Sequence, residues 1–211
     1  MSYLAIEGLI GSGKTTLARR MASQLQWRLL EEPVAGNALL EDFYVAPERL
    51  AFALQIKMLH CRYAQQQVAA HSTEPCVLDR SMVGDRCFCA LHSRYRNILP
   101  REQEVYEECY DVMTAVRPPF LMVYLEVDPE VALSRIHQRG RPMEQQMTLR
   151  YLQDLDAEYE QTMQQIAAGT HAWSRGIELW RVPWNDQHTD PSQNAAYQDL
   201  VERARRYVGH P

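Results

Sequence analysis

The chain is 211 residues long, 46% hydrophobic and 23% charged, with a formal net charge of −5. That length suits one α/β domain with a sizeable core and is short for two, so residues 1–211 are read as a single domain of ordinary globular composition. The acidic balance argues against a nucleic-acid polymer as partner, because phosphate backbones are gripped by basic surfaces; a local cluster of Arg and Lys around a small phosphorylated ligand is not excluded.

Apolar runs alternate with long helical patterns, as in a parallel sheet covered by helices. Tyr3 to Glu7 reads as a buried strand, Lys14 to Leu25 as a helix with Leu17, Met21 and Leu25 on one face, and Trp27 to Leu30 as a second strand. Pro47 to Ala70 is a long helix, with Leu50, Leu54, Met58 and Leu59 at helical spacing. A short strand follows at Cys76 to Leu78, then helices at Gly84 to Arg94 and Arg101 to Val116, the second stopped by Pro118-Pro119. Phe120 to Leu125 is a strongly apolar strand. Asp128-Pro129-Glu130 reads as an N-cap with proline at the first helical position, opening a helix to about Gln138. Leu149 to Ala168 is a helix, Ile177 to Val182 the last strand, and Pro191 to Tyr207 the last helix. The five cysteines, Cys61, Cys76, Cys87, Cys89 and Cys109, form neither a zinc spacing nor a CxxC pair and are read as reduced thiols of a cytoplasmic protein. No signal peptide is expected before the first strand, and no apolar run approaches the roughly 20 residues of a membrane span.

Gly8-Leu9-Ile10-Gly11-Ser12-Gly13-Lys14-Thr15 fits GxxxxGK[ST], between a buried strand and an amphipathic helix. Gly8, Gly11 and Gly13 let backbone N–H groups, with those of Ser12 and Thr16, turn inward around an anion, and the helix N-terminus adds positive partial charge. Lys14 can reach the β- and γ-phosphates and Thr15 can ligate Mg²⁺. The motif implies a nucleoside triphosphate but does not separate a kinase from another nucleotide hydrolase or switch.

Acceptor chemistry should lie at the neighbouring strand ends. Glu32, pinned by Pro33, could take a proton from an attacking hydroxyl or be a plain surface glutamate. Asp79-Arg80-Ser81 offers an acid for Mg²⁺ and an arginine to bridge donor and acceptor oxygens, or is a polar loop. Arg135, Arg139 and Arg141 fall at a helix end before Gly and Pro; they could offset the helix dipole, or form a mobile lid over about residues 135–147 that closes on phosphates.

Taken together, these segments resemble the deoxynucleoside kinases, the family of deoxycytidine, deoxyguanosine and deoxyadenosine kinases, over nearly the whole chain. The resemblance is carried by GLIGSGKTT, Glu32-Pro33-Val34, Tyr44-Val45-Ala46-Pro47-Glu48-Arg49 with Gln55, Asp79-Arg80-Ser81 with Asp85, and Arg135 through Glu144. It implies a P-loop kinase fold with a five-stranded parallel sheet, ATP as donor, Mg²⁺, a homodimer through helices, and phosphorylation of a deoxynucleoside 5′-hydroxyl in nucleotide salvage. Glu32 would be the general base and Arg80 would steady the hydroxyl and the transferring group. Thr15 and Asp79 would serve Mg²⁺, Tyr44 and Glu144 would bind the sugar 3′-hydroxyl, and Gln55 would read the base. Arg135 would stack on the adenine, with Trp184, Asn185 and Asp186 beside it. Arg62 lies seven residues after Gln55 on the same helix face. With Asp85 it resembles the pair of members acting on deoxycytidine and purine deoxynucleosides, so deoxyadenosine or deoxyguanosine is favoured, then deoxycytidine. Met143 stands in the lid where an acid is common. A monophosphate kinase of the thymidylate kinase type is the nearest alternative, although a dianionic acceptor would be repelled by Glu32. A nucleotide-binding regulator without turnover is the alternative of another class.

Overall fold

A computed structural model of the chain describes residues 3–32, 37–174, 176–185 and 195–209. Five strands form one parallel sheet: β1 (Tyr3–Gly8), β2 (Arg28–Leu30), β3 (Cys76–Asp79), β4 (Leu121–Glu126) and β5 (Glu178–Pro183), in the spatial order β2-β3-β1-β4-β5. Burial follows that order. Every residue of β1 and β3 is buried, whereas β2 and β5 at the edges are partly exposed. This is why the inner strands read as continuous apolar runs rather than alternating ones. Alternation survives in which core each residue serves: Leu4 and Ile6 enter the large core, while Tyr3 and Ala5 meet Ala69, Cys76 and Leu78 in a smaller one.

The helices are α1 (Lys14–Leu25), α2 (Ala38–Val45), α3 (Pro47–His71), α4 (Met82–Arg94), α5 (Pro100–Met113), α6 (Pro129–Arg139), α7 (Leu149–Ala167) and α8 (Ala195–Gly209). The architecture is the expected one, with local differences. Helix α2 went unforeseen; its eight residues are too few to display a helical period. Helix α4 starts at Met82, two residues before the expected Gly84, because the Ser81 side chain accepts from Val83 N–H and caps it. Asp128 stands at the N-cap of α6, yet its carboxylate accepts from the Asn185 amide (2.8 Å) instead of capping, which ties the end of β4 to the end of β5. Residues 191–194 of the expected last helix lie outside the described residues. On α3, Leu54, Met58 and Leu59 are buried in the core of the chain. Among the described residues no helix is long and apolar enough to cross a membrane.

Strand β1 is flanked by β3 on one side and β4 on the other, so the crossovers diverge at its carboxyl end, where α/β sheets bind ligands. The turn from β3 into α4 is bolted to that end by Glu7. One carboxylate oxygen accepts from Ser81 N–H (2.6 Å), Ser81 Oγ (2.7 Å) and Gly84 N–H (3.2 Å). Gly84 fits because a Cβ there would meet Glu7 Oε2 at 2.4 Å and the Tyr159 hydroxyl at 2.6 Å. Gly84→Ala should therefore destabilise the fold by about 1–3 kcal/mol through overpacking, measured by denaturant unfolding. Unchanged stability would mean that α4 can shift freely against β1.

Candidate active site

The loop between β1 and α1 is shaped to hold an anion. Gly13 at the N-cap of α1 has φ 94 and supplies no capping side chain, and the first turn of α1 contains no acid, so its N–H groups are left for a ligand. Gly11 is held closely from above: a Cβ there would lie 2.5 Å from the Ala132 carbonyl oxygen of α6. Lys14 is buried, and its ammonium turns back to the Leu9 carbonyl (2.6 Å) and Ser12 Oγ (3.3 Å). Burial, then the charge of Arg80, lower the Lys14 pKa to about 7 against the opposing pull of Asp79, Glu32 and Glu7.

Lys14 and Gly11 open onto a cavity whose walls include Glu32, Tyr44, Gln55, Arg62, Asp79, Arg80, Arg139, Arg141 and Glu144. The chain thus gathers residues from widely separated sequence segments around one space. Thr15 Oγ donates to Asp79 Oδ2 (2.6 Å), pairing the two residues expected to serve Mg²⁺. Glu32 receives Arg62 and, at 3.2 Å, Arg80 Nε. Burial pushes the Glu32 pKa up, but the guanidinium charges of Arg80 and Arg62 outweigh it and hold the carboxyl at about 2. Arg62 also binds Asp85, whose other oxygen accepts from the Tyr106 hydroxyl (2.7 Å). Burial raises Asp85 to about 6, opposed by Arg62 and by that hydrogen bond. Asp85 is fully buried and stands behind Arg62 rather than on the cavity wall.

Glu144, in the short turn Pro142–Glu144, binds Arg139 (2.5 Å) and Arg141 (3.3 Å), with Tyr44 on the same wall. Met143 therefore leaves Glu144 facing the cavity. Burial, then the charge of Glu144, push the Tyr44 hydroxyl up to about 12. The three arginines expected to form a lid divide. Arg139 and Arg141 line the cavity, but Arg135 donates to the carbonyls of Ser12 (3.3 Å), Trp184 (2.9 Å) and Asn185 (3.0 Å), bracing the phosphate loop against the end of β5. The Trp184 indole nitrogen lies 3.4 Å from where a Cβ of Gly13 would be. Thr16 is exposed and off the cavity wall; Pro33, Val34 and Asp186 lie outside the described residues.

Four buried polar atoms of cavity residues have no hydrogen-bond partner: Gln55 Oε1, Arg62 Nε, Asp79 Oδ1 and Arg80 Nε, the last in ion-pair range of Glu32 but not hydrogen-bonded to it. A folded chain rarely leaves such atoms unpaired, and here they ring a space that a polar ligand can enter. Among the described residues no group of three or more His, Cys, Asp or Glu could hold a metal by itself.

A family model described as deoxynucleoside kinase matches residues 4–201. The chain belongs to the deoxynucleoside kinase family. It is 34% identical over 195 residues to a deoxyadenosine kinase of Dictyostelium discoideum, covering 92% of this chain and 76% of that protein. It is also 34% identical over 163 residues to a deoxyadenosine/deoxycytidine kinase of Bacillus subtilis (strain 168), covering 75% of each. A solved structure of deoxyadenosine kinase from M. mycoides with bound dCTP superposes with a TM-score of 0.80 over 97% of this chain and 99% of that one, at 23% identity, which speaks for the fold.

In this deoxynucleoside kinase the structure adds residues that motif reading passed over. Phe88 lies on the cavity wall beneath both guanidinium groups, its ring centre 5.1 Å from Arg80 and 6.0 Å from Arg62. It is three residues after Asp85, so helical spacing from Asp85 was the signal available. His92, seven after Asp85, also lines the cavity; burial lowers its pKa to about 4 and keeps the imidazole neutral. It lies against Phe43 and within 3.4 Å of the Tyr151 hydroxyl. Nothing local marks Tyr151, which comes from α7.

Lys14 yields a proton-linkage prediction. A bound triphosphate puts negative charge beside the amine and raises its pKa above about 7, so between the free and bound values binding takes up protons. Calorimetric titration with ATP at pH 8 in buffers of different ionisation enthalpy should show uptake approaching about one proton, fading as the pH falls to about 6. Equal heats in all buffers at pH 8 would mean Lys14 is already charged.

Proposed function

We propose that this kinase transfers the γ-phosphoryl group of ATP to the 5′-hydroxyl of a deoxynucleoside, with deoxyadenosine or deoxyguanosine preferred and deoxycytidine next. The reading extends to the whole chain as one domain in nucleotide salvage. The observation that carries it is the arrangement of the cavity: an anion-binding loop at one end, the Arg62–Asp85 pair beside the unpartnered Gln55 oxygen at the other, and Glu32 with Arg80 between them.

In this reading the base edge meets Gln55 and Arg62, with Phe88 offering an aromatic face. The sugar 3′-hydroxyl meets Tyr44 and Glu144, and the 5′-hydroxyl then lies near Glu32. Glu32 is ionised across the physiological range and can accept a proton without prior activation. A weakly basic carboxylate suits a late transfer, after the loose phosphoryl transition state has made the hydroxyl more acidic. Arg80 spans the attacking and transferring oxygens, Lys14 offsets charge on the β- and γ-phosphates, and Arg139 with Arg141 closes over them. The hard oxygens of Thr15 and Asp79, one of them unpartnered, fit Mg²⁺. Held by these two residues, the ion would supply positive charge to offset that of the phosphates. Catalysis is then mostly positioning and charge stabilisation.

A monophosphate acceptor would set a dianion against Glu32, and the family match does not favour it. A homodimer belongs to the reading through the family; α5 exposes Val105 and Val112, and α3 exposes Val68.

Turnover of ATP–Mg²⁺ with each of the four deoxynucleosides and dTMP tests the proposal. Deoxyadenosine or deoxyguanosine should be the best acceptor. Thymidine alone would discard the Arg62–Asp85 argument, and dTMP alone would discard the acceptor class. Glu32→Gln should lower kcat by roughly 10²–10⁴-fold, the range for loss of a general base; near-full turnover would leave Glu32 without that role.

A further inference from the structure

Glu7 and Tyr159 are fully buried, and neither lines the cavity, yet both are aimed at the one arginine assigned to the transferring group. Arg80 stands at φ 72, a left-handed conformation that a residue with a Cβ adopts at a cost, so the turn that carries it needs bonds from outside. Glu7 supplies them. Its Oε1 holds Ser81, the residue just after Arg80, and Gly84 in the first turn of α4, while its Oε2 accepts from the Tyr159 hydroxyl at 3.2 Å. The same hydroxyl accepts from Arg80 Nη1, which also donates to the Gly8 carbonyl (3.2 Å). A guanidinium can only donate, so the phenol must accept from Arg80, and its own proton is left for Glu7. Chemistry fixes the direction of this chain of bonds, and with it the orientation of the guanidinium whose Nε faces Glu32.

We propose that Glu7 and Tyr159 are positioning residues for Arg80, Glu7 holding the turn and Tyr159 aiming the guanidinium at the reacting oxygens. The inference rests on the role given to Arg80 above. It also accounts for a glutamate ending the first strand ahead of the phosphate loop, where the loop itself makes no use of it.

Two conservative variants separate positioning from packing. Tyr159→Phe removes one oxygen and leaves the ring stacked on Tyr124 (centroids 5.8 Å apart). Glu7→Gln keeps the shape but replaces one acceptor oxygen by an amide donor, which competes with Arg80 for the phenol if the remaining oxygen stays on Ser81. The experiment measures kcat, both KM values and thermal unfolding for Y159F, E7Q, R80Q and the double variant Y159F/R80Q. Y159F should lower kcat roughly 10- to 100-fold, the cost of misplacing a reacting group by about an ångström, with both KM values within about twofold of the parent. E7Q should lose at least as much. In the R80Q background Y159F should cost nothing further, because the group it aims is gone. A loss by the same factor in both backgrounds would mean the phenol acts through packing, and would overturn the proposal. So would full kcat in Y159F beside a crippled R80Q. If E7Q is too unstable to assay, the Y159F pair decides. Full kcat in R80Q is a distinct result: it would remove the role of Arg80 itself and the inference with it.

Discussion

Two guanidinium groups buried beside each other cannot be left to water, and the surroundings of Arg62 and Arg80 follow from that constraint. Both are at most 4% exposed, and an unpaired charge at such depth would cost several kcal/mol. Compensation comes from four places at once: Glu7 at the end of β1, Glu32 after β2, Asp85 in α4, and the hydroxyl of Tyr159 in α7. Only the folded chain can bring these together, so the network is both a consequence of the sheet order and a reason for its rigidity. Its carboxylates are unequal. Glu32 sits between two arginines and is held ionised, whereas Asp85 shares one and is pushed upward by burial.

That inequality gives the cavity its chemical polarity. An ionised carboxylate faces the open middle of the site, where a hydroxyl can approach. The Arg62–Asp85 pair sits deeper and offers a planar donor edge backed by its own counter-charge, an arrangement suited to reading a ring by hydrogen bonds rather than to moving protons. At the opposite end, α1 presents uncapped N–H groups, and Lys14 occupies its own loop with its charge weakened by burial. Arg139 and Arg141 are already paired to Glu144 at the rim.

Much of this was legible before folding. Continuous apolar runs mark inner strands because both faces of a parallel sheet are covered, and β1, β3 and β4 obey. The phosphate loop is a local device whose residue types answer to backbone geometry over eight positions. Arg62 and Gln55 share a helix face by spacing alone. Helix α2 was not legible, and neither was the division of Arg135 from Arg139 and Arg141, since Arg135 is set apart by carbonyls of the phosphate loop and of a strand end about 50 residues away. Asp128 shows the limit from the other side: a good capping residue was diverted by Asn185, a partner no local pattern could supply.

The sequence by itself determined the strand–loop–helix that binds phosphate, the parallel sheet, and the family, because these depend on short-range periodicity and on motifs read in order. The tertiary structure alone decided which charges neutralise which, and so which carboxylate stays ionised and how each guanidinium is oriented. Glu7 meets Ser81 across 74 positions and Tyr159 across 152. Bonds of that span leave no periodic trace in the chain. They arise from how the strands are ordered, and the energy of a buried charge depends on that order rather than on its neighbours in sequence.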